Sequence, residues 1–299
     1  RHTRYISVTG VQTCALPIFL RHFLWKNKFD VVHAHLPRAE LIASLSVNRH
    51  NSFLISRHNS ESFFPGFHRS ISSKLSRFVT RKTFRVIAIS QAVKKFIIDN
   101  DEISDPSKLR VIYYGIESSS PKFVLRKSLK TSLGFDESDI VIGTISRLTF
   151  QKNINSLILA FDELRKSIPN VKLLIIGEGE ERTRLENQVR TLGIENKVKF
   201  FGKTSNVYEY LSLMDVFTLV SKYEGFGLVL LEAMRVHIPI VAANNTSIPE
   251  VLGNEYPWLV DESNINDIQT KMLELIQPVT KKICTEYLNA RLRLFSLQA

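Results

Sequence analysis

The sequence predicts an α/β protein built from two doubly wound domains, on three observations. Short apolar runs rich in Val and Ile recur along the chain, helical patterns lie between them, and a Ser- and Pro-bearing stretch, Ser118 to Val124, interrupts the alternation. Apolar β-branched runs without polar alternation suit strands buried on both faces, as in a parallel sheet whose crossovers are helices. At 299 residues with 44% hydrophobic content, the chain can supply cores for two ordinary domains.

In the first half the expected strands are "FDVVHAHL" (Phe29 to Leu36), "NSFLISRH" (Asn51 to His58) and "RVIAIS" (Arg85 to Ser90). "RAELIASLSV" suits a helix, and Ser90 stands at the N-cap of another, "QAVKKFIIDN". "LRVIYYGIE" closes this half. The second half alternates more clearly, with strands "DIVIGTIS", "VKLLIIG", "NKVKFFG", "MDVFTLVS" and "IPIVAAN". Helices are expected over Asn153 to Ser167, Glu180 to Thr191, Val207 to Ser212 and Gly227 to Val236. The domains are placed at 19–124, including the linker, and 125–299. The first carries too few strands for a complete doubly wound sheet.

Residues 1–18 are set aside: Val8 to Ile18 resembles an in-frame translation of a sequencing-library adapter. The native frame is then expected to enter near Phe19, and the chain to be a fragment. With Cys14 excluded, Cys284 has no disulfide partner, which points to a reducing, cytoplasmic location. No apolar run reaches the length of a membrane-spanning helix. Charge is uneven: 19–130 holds 20 Lys plus Arg against 8 Asp plus Glu, and 131–299 holds 18 against 21. A basic half joined to a mildly acidic one suggests different partners for the two domains.

The chemistry gathers at expected strand ends, where doubly wound sheets bind ligands. In "GTISRLTFQKN", Arg147 and Lys152 follow a strand and precede a helix, an arrangement suited to phosphate. After "MDVFTLVS" comes Glu224-Gly225-Phe226-Gly227, whose glycines let backbone approach a ligand at the start of the next helix. A carboxylate accepts hydrogen bonds from paired hydroxyls. Glu224 in the turn would therefore take a sugar, and Glu232, further along the helix, a ribose, with a diphosphate between them. Glu232 lies within the apolar "LVLLEAM", where a carboxylate without partners is costly.

"GTISRLTFQKN", "LLIIGEGEER", "VKFFG", "SKYEGFGLVLLEAM" and "NNTSIPEVLG" resemble the C-terminal domain of retaining GT-B glycosyltransferases of family four. "DVVHAHL", "RVIAISQAVKKFI" and "VIYYGIE" resemble the later part of that family's N-terminal domain. The resemblance implies a GT-B fold and sugar transfer from a nucleotide-diphosphate sugar to a glycan or lipid-linked acceptor, as in cell-surface polysaccharide or lipopolysaccharide synthesis. It further implies retention of anomeric configuration, no divalent metal and no cofactor. Arg147 and Lys152 match the pair that neutralises the diphosphate, Glu224 the carboxylate on the transferred sugar, and Glu232 that on the ribose. Phe226, Gly227 and Leu228 match the backbone amides on the phosphates, and His58 the histidine facing the reacting sugar. Two departures stand out: Tyr114 occupies a position where Asn is usual, and Thr246-Ser247 replaces a frequent Gly pair.

Two other readings stay open, a GT-B nucleotide-sugar epimerase and a catalytically inactive membrane-adsorbing module. His33 and His35 alternate along a strand and read as structural or acceptor-side, without a third metal ligand. His237 reads as a loop residue, and Asp99-Asn100-Asp101 as a polar helix end. Arg69 to Arg85 carries six cations and no acid, with Ile71, Leu75, Phe78 and Val79 at helical spacing. An anionic membrane surface, on the inner face of the cytoplasmic membrane, and a solvated helix are equally compatible with this pattern. Nucleic acid fits less well, because no aromatic platform accompanies the charge.

Overall fold

The computed structural model describes residues 5–8, 17–64, 66, 68–117 and 126–297. The chain divides into two compact units, Arg1–Tyr114 and Gly115–Ala299. The boundary therefore precedes the Ser118 to Val124 stretch assigned to the linker, which lies outside the described residues.

The first unit runs β1 (Tyr5–Val8), α1 (Pro17–Asn27), β2 (Val31–His35), α2 (Pro37–Ser46), β3 (Ser52–Arg57), α3 (Arg69–Lys82), β4 (Arg85–Ala88), α4 (Gln91–Asp99) and β5 (Leu109–Val111). Its five strands are all parallel and lie in consecutive order, one winding of the expected pattern. Val32 and Ala34 are buried on one face of β2 while His33 and His35 share the other, as the period of two requires. Ser90 caps α4 as expected, its Oγ accepting from the Val93 amide at 3.0 Å. On α3, Ser72, Ser73, Ser76, Val79 and Thr80 face inward, and Ile71 and Phe78 are exposed. Small hydroxylated residues, rather than the expected apolar stripe alone, let this helix approach the sheet.

Of residues 1–18, set aside as adapter-like, Tyr5–Val8, Pro17 and Ile18 are placed in elements of the first unit. Tyr5–Val8 pairs in parallel with Val31–Ala34, and Pro17 and Ile18 open α1. The free edge of β2 offers a row of backbone donors and acceptors, and a short β-prone segment satisfies them whatever its side chains. "LRVIYYGIE" also divides. It ends β5 at Val111, crosses the boundary after Tyr114, and resumes as β6 (Ile116–Glu117) in the second unit.

The second unit continues with α5 (Arg126–Ser132), β7 (Ile140–Ile145), α6 (Ile154–Ser167), β8 (Val171–Ile176), α7 (Arg182–Thr191), β9 (Val198–Phe201), α8 (Val207–Leu213) and β10 (Val216–Leu219). Then follow α9 (Leu228–Arg235), β11 (Ile240–Ala243), α10 (Ile248–Leu252), β12 (Leu259–Val260), α11 (Ile265–Ile276), α12 (Pro278–Leu292) and β13 (Ser296–Leu297). The main sheet is parallel with order β12-β11-β10-β7-β8-β9. The winding reverses between β7 and β10, and a crevice opens beyond their carboxyl ends. All four residues of β10 and of β11 are buried, which explains their uninterrupted apolar sequence.

The chain turns aside after α12. Arg293–Phe295 forms a 3₁₀ turn and Ser296–Leu297 pairs in parallel with β6. Phe295 is buried edge-on to Phe226, with ring centroids 5.9 Å apart. Burying a ring of this size contributes roughly 1.5–3 kcal/mol, more than a further exposed helical turn would.

Candidate functional site

The crevice at the reversal of winding is built by two loops. One follows β7 and carries Arg147 to Lys152, and the other follows β10 and carries Ser221 to Gly227. The first loop is held against the β8–α7 connection: the Leu148 amide donates to the Glu178 carbonyl at 2.9 Å, and the Glu181 amide to the Leu148 carbonyl at 3.0 Å. That approach needs glycine. A Cβ on Gly177 (φ +138°) would stand 1.8 Å from the Ser146 carbonyl oxygen, and one on Gly179 2.1 Å from that of Leu148. Asn153, with φ +53°, turns the chain into α6 and donates from Nδ2 to the Glu262 carbonyl at 2.8 Å.

The two loops are also joined to each other. The Lys222 amide donates to the Gln151 carbonyl and Gln151 Nε2 to the Tyr223 carbonyl, each at 2.8 Å. Between them Lys152 Nζ lies 2.5 Å from Glu224 Oε1, with the lysine and glutamate side chains only 14% and 8% exposed. Ser221 Oγ donates to the same carboxylate oxygen at 2.7 Å. The backbone of Glu224 is clamped from β11's exit loop: its amide donates to Thr246 Oγ1 at 2.9 Å, and Ser247 Oγ donates to its carbonyl at 3.0 Å. The Thr-Ser pair that replaces glycines is thus a fixture of the turn. Thr246 adopts φ +47°, costly for a β-branched residue, and the hydrogen bond to Glu224 helps hold it there.

Gly225 is buried, and Gly227 takes the left-handed conformation (φ +82°) at the N-cap of α9. Phe226 contributes its ring to the core, so only its backbone is offered to a ligand. Leu228 opens α9 with its side chain exposed, at the helix end where first-turn amides and the dipole favour anions. Arg147 is exposed and has no ion-pair partner among the described residues. Glu232 is half-buried on α9, likewise without a polar partner among them, and burial pushes its carboxyl above the usual range.

Lys152, Glu224, Gly225, Phe226, Gly227 and Leu228 are therefore gathered at one crevice, with Arg147 in the same loop as Lys152. Glu232 stands one turn into the helix that leaves it. The sequence reading missed Ser221, Gln151, Thr246 and Ser247. Its signal for the last two was their departure from a Gly pair. Among the described residues no group of three or more His, Cys, Asp or Glu side chains is arranged to hold a metal.

His58 belongs to the first unit. Its Nε2 lies 2.9 Å from His35 Nδ1 and its Nδ1 2.5 Å from the Tyr114 hydroxyl, while His33 Nε2 lies 2.8 Å from Ser56 Oγ. Burial pushes all three imidazoles down, His33 to about 4 with further repulsion from His35 and His58. Burial raises the Tyr114 phenol, which stays protonated. Neutral rings in a row then share protons directionally: a donor at Tyr114 makes His58 donate to His35. Tyr114, which replaces the usual Asn, thus orients His58. His237 bonds Asn289 on the surface, and Asp99 and Asp101 pair with Lys95 and Arg77, as expected of polar loop and helix-end residues.

Two α/β units, each built on a parallel sheet, with the second sheet reversing its winding between β7 and β10, make the GT-B fold. The chain belongs to the glycosyl transferases group 1 family, whose model matches residues 126–282; the Glycosyltransferase Family 4 model matches residues 9–120. It is 27% identical over 258 residues to N-acetyl-alpha-D-glucosaminyl L-malate synthase of Bacillus anthracis, covering 84% of this chain and 66% of that protein. It is 25% identical over 284 residues to the UDP-Gal:alpha-D-GlcNAc-diphosphoundecaprenol alpha-1,3-galactosyltransferase of Escherichia coli, covering 89% and 70%. Anabaena HepE, solved in complex with UDP, superposes with a TM-score of 0.80 at 22% identity, over 93% of this chain and 78% of that one. Sucrose-phosphate synthase of Thermosynechococcus elongatus gives 0.79 at 19% identity, over 94% and 73%. The chain spans only 61–66% of the length of three of the curated relatives it matches, the Bacillus anthracis synthase among them.

Proposed function

We propose that this chain is the larger part of a retaining, metal-independent glycosyltransferase that moves a sugar from a nucleoside-diphosphate donor to a glycan or lipid-linked acceptor. Cell-surface polysaccharide or lipopolysaccharide synthesis is the setting in which we place it. The observation that carries the reading is the Lys152–Glu224 pair, 2.5 Å apart at the reversal of winding. Within the crevice the ammonium and carboxylate satisfy each other. A diphosphate arriving at the start of α9 takes over Lys152, with Arg147 as the second cation, and releases Glu224 to accept from sugar hydroxyls. Unpartnered Glu232 accepts from the ribose. As the leaving diphosphate gains charge, Lys152, Arg147 and the helix dipole stabilise it without reorganisation, which is the role a metal would otherwise fill.

The E. coli relative's name, with its diphosphoundecaprenol acceptor, supports a lipid-linked substrate. So does the outer face of α3, where Ile71 and Phe78 are exposed beside Lys74, Arg81 and Lys82. That face suits adsorption from the cytoplasmic side to an anionic membrane. No helix among the described residues is long and apolar enough to cross one.

The test is thermal unfolding with UDP, GDP and ADP, beside the Glu232→Ala variant. A nucleotide at about a hundred times its Kd adds ~2.7 kcal/mol and raises Tm by a few degrees. UDP is the first candidate, since HepE binds it. A shift with one nucleotide that Glu232→Ala abolishes supports the reading, and no shift with any of them sinks it.

A further inference from the structure

Both ring nitrogens of His58 are engaged inside the first unit. Nδ1 lies 2.5 Å from the Tyr114 hydroxyl, and Nε2 lies 2.9 Å from His35 Nδ1. The histidine that the family resemblance sets against the reacting sugar therefore has neither an N–H nor a lone pair left for a ligand. His35 has one nitrogen to spare: its Nδ1 is taken by His58, and no hydrogen bond among the described residues engages its Nε2. It is the last residue of β2 and only partly buried, at the carboxyl end of the strand, where parallel sheets of this kind meet ligands.

The proton order of the row follows from its phenol end. A phenol is a stronger donor than a neutral imidazole, and an imidazole nitrogen is a stronger acceptor than a phenol oxygen, so the Tyr114 hydroxyl donates to His58 Nδ1. A neutral ring that accepts at Nδ1 carries its proton at Nε2, and His58 then donates to His35 Nδ1. By the same rule His35 carries its own proton at Nε2. Both rings stay neutral because burial pushes them down, with repulsion from His35 adding to the effect at His58. The spare nitrogen at the strand end is thus a donor and not a base.

We propose that Tyr114 is a positioning residue: acting through His58, it fixes His35 as the Nε2–H tautomer, and His35 rather than His58 is the group this unit offers to a substrate oxygen. The inference rests on the glycosyltransferase reading for the identity of that substrate as a sugar, whereas the proton order of the row stands without it. An N–H at this place binds and orients an oxygen but cannot withdraw a proton from it. The tyrosine that stands where Asn is usual therefore decides what kind of partner the strand end accepts.

The experiment is long-range proton–nitrogen correlation NMR of the imidazole rings in the full chain at neutral pH, with His35→Gln and His58→Gln assigning the signals. It reads directly which ring nitrogen carries the proton. Both rings are expected as Nε2–H tautomers in the parent. Tyr114→Phe keeps the aromatic ring and removes the donor, so the ratio of Nε2–H to Nδ1–H in His35 should fall roughly threefold or more, the worth of one hydrogen bond. A merely structural Tyr114 would not move the tautomer of a ring it does not touch. A soluble paramagnetic chelate should broaden the ring signals of His35 more than those of His58. The proposal is overturned if either ring carries its proton at Nδ1 in the parent, if Tyr114→Phe leaves His35 unchanged, or if the chelate broadens His58 as much as His35. Should Tyr114→Phe fail to fold, the parent's tautomers and broadening decide. UDP-induced thermal shifts in the same sample separate the two readings. A UDP shift with the wrong tautomers sinks the row and leaves the donor site standing, and the expected tautomers without a nucleotide shift sink the donor site alone.

Discussion

Lys152 Nζ and Glu224 Oε1 lie 2.5 Å apart although 72 positions separate the residues in the chain. Their strands, β7 and β10, are neighbours in the sheet, and the winding order alone makes them so. Breaking such a pair from one side strands a charge, whereas removing both does not. Lys152→Met and Glu224→Gln are each expected to lower Tm by several degrees. The double variant should be more stable than the sum of the singles by about 0.5–3 kcal/mol, read from a urea double-mutant cycle. Additive effects would mean that the pair does not form in solution.

Thr246→Gly tests the clamp. Glycine relieves the φ +47° conformation but loses the hydroxyl that accepts from the Glu224 amide. These effects oppose each other at about 1 kcal/mol apiece, so Tm should change little. Glu224 will be less well placed. Affinity for a nucleotide sugar should fall several-fold while affinity for the bare nucleotide holds, as calorimetry can show.

Gly177→Ala and Gly179→Ala place a methyl inside contact distance of the backbone at Ser146 and Leu148, which cannot move without carrying Arg147 with it. Each is expected to destabilise by more than ~2 kcal/mol and to abolish nucleotide binding. Chemical denaturation and a nucleotide titration measure the two effects separately.

The pH dependence of the first unit has two opposing parts. Folded Glu40 keeps its proton up to about pH 7, against 4.5 for the ordinary carboxyl. Between these values the folded chain holds more protons than the unfolded, so this contribution to stability falls as pH rises. His33, pushed from 6.5 to about 4, does the reverse: its contribution falls as pH drops through that window. Urea unfolding from pH 4.5 to 8 should show a rising stability in Glu40→Gln relative to the parent as pH increases. His33→Asn should gain relative to the parent as pH decreases. A flat difference curve for either variant would refute its assignment.

The local pattern was sufficient for the elements that bury continuous apolar runs, such as β10 and β11, and for the Ser90 cap, because burial and capping act within a few residues. It was also sufficient for the glycine turn and its flanking carboxylates. It did not show that "LRVIYYGIE" crosses from one unit to the other, nor that Phe295 turns aside to meet Phe226, because each outcome depends on a partner far along the chain. The same holds for Thr246 and Ser247, which look like departures in the sequence and prove to be the anchors of Glu224.

By itself the sequence determined the alternation of strands and helices and the charged and glycine residues placed at the strand ends. Only the tertiary structure decided which of them meet. Strand order is set by the packing of whole helices on a sheet, and that packing joins Lys152 to Glu224 and buries Glu40 against Arg57.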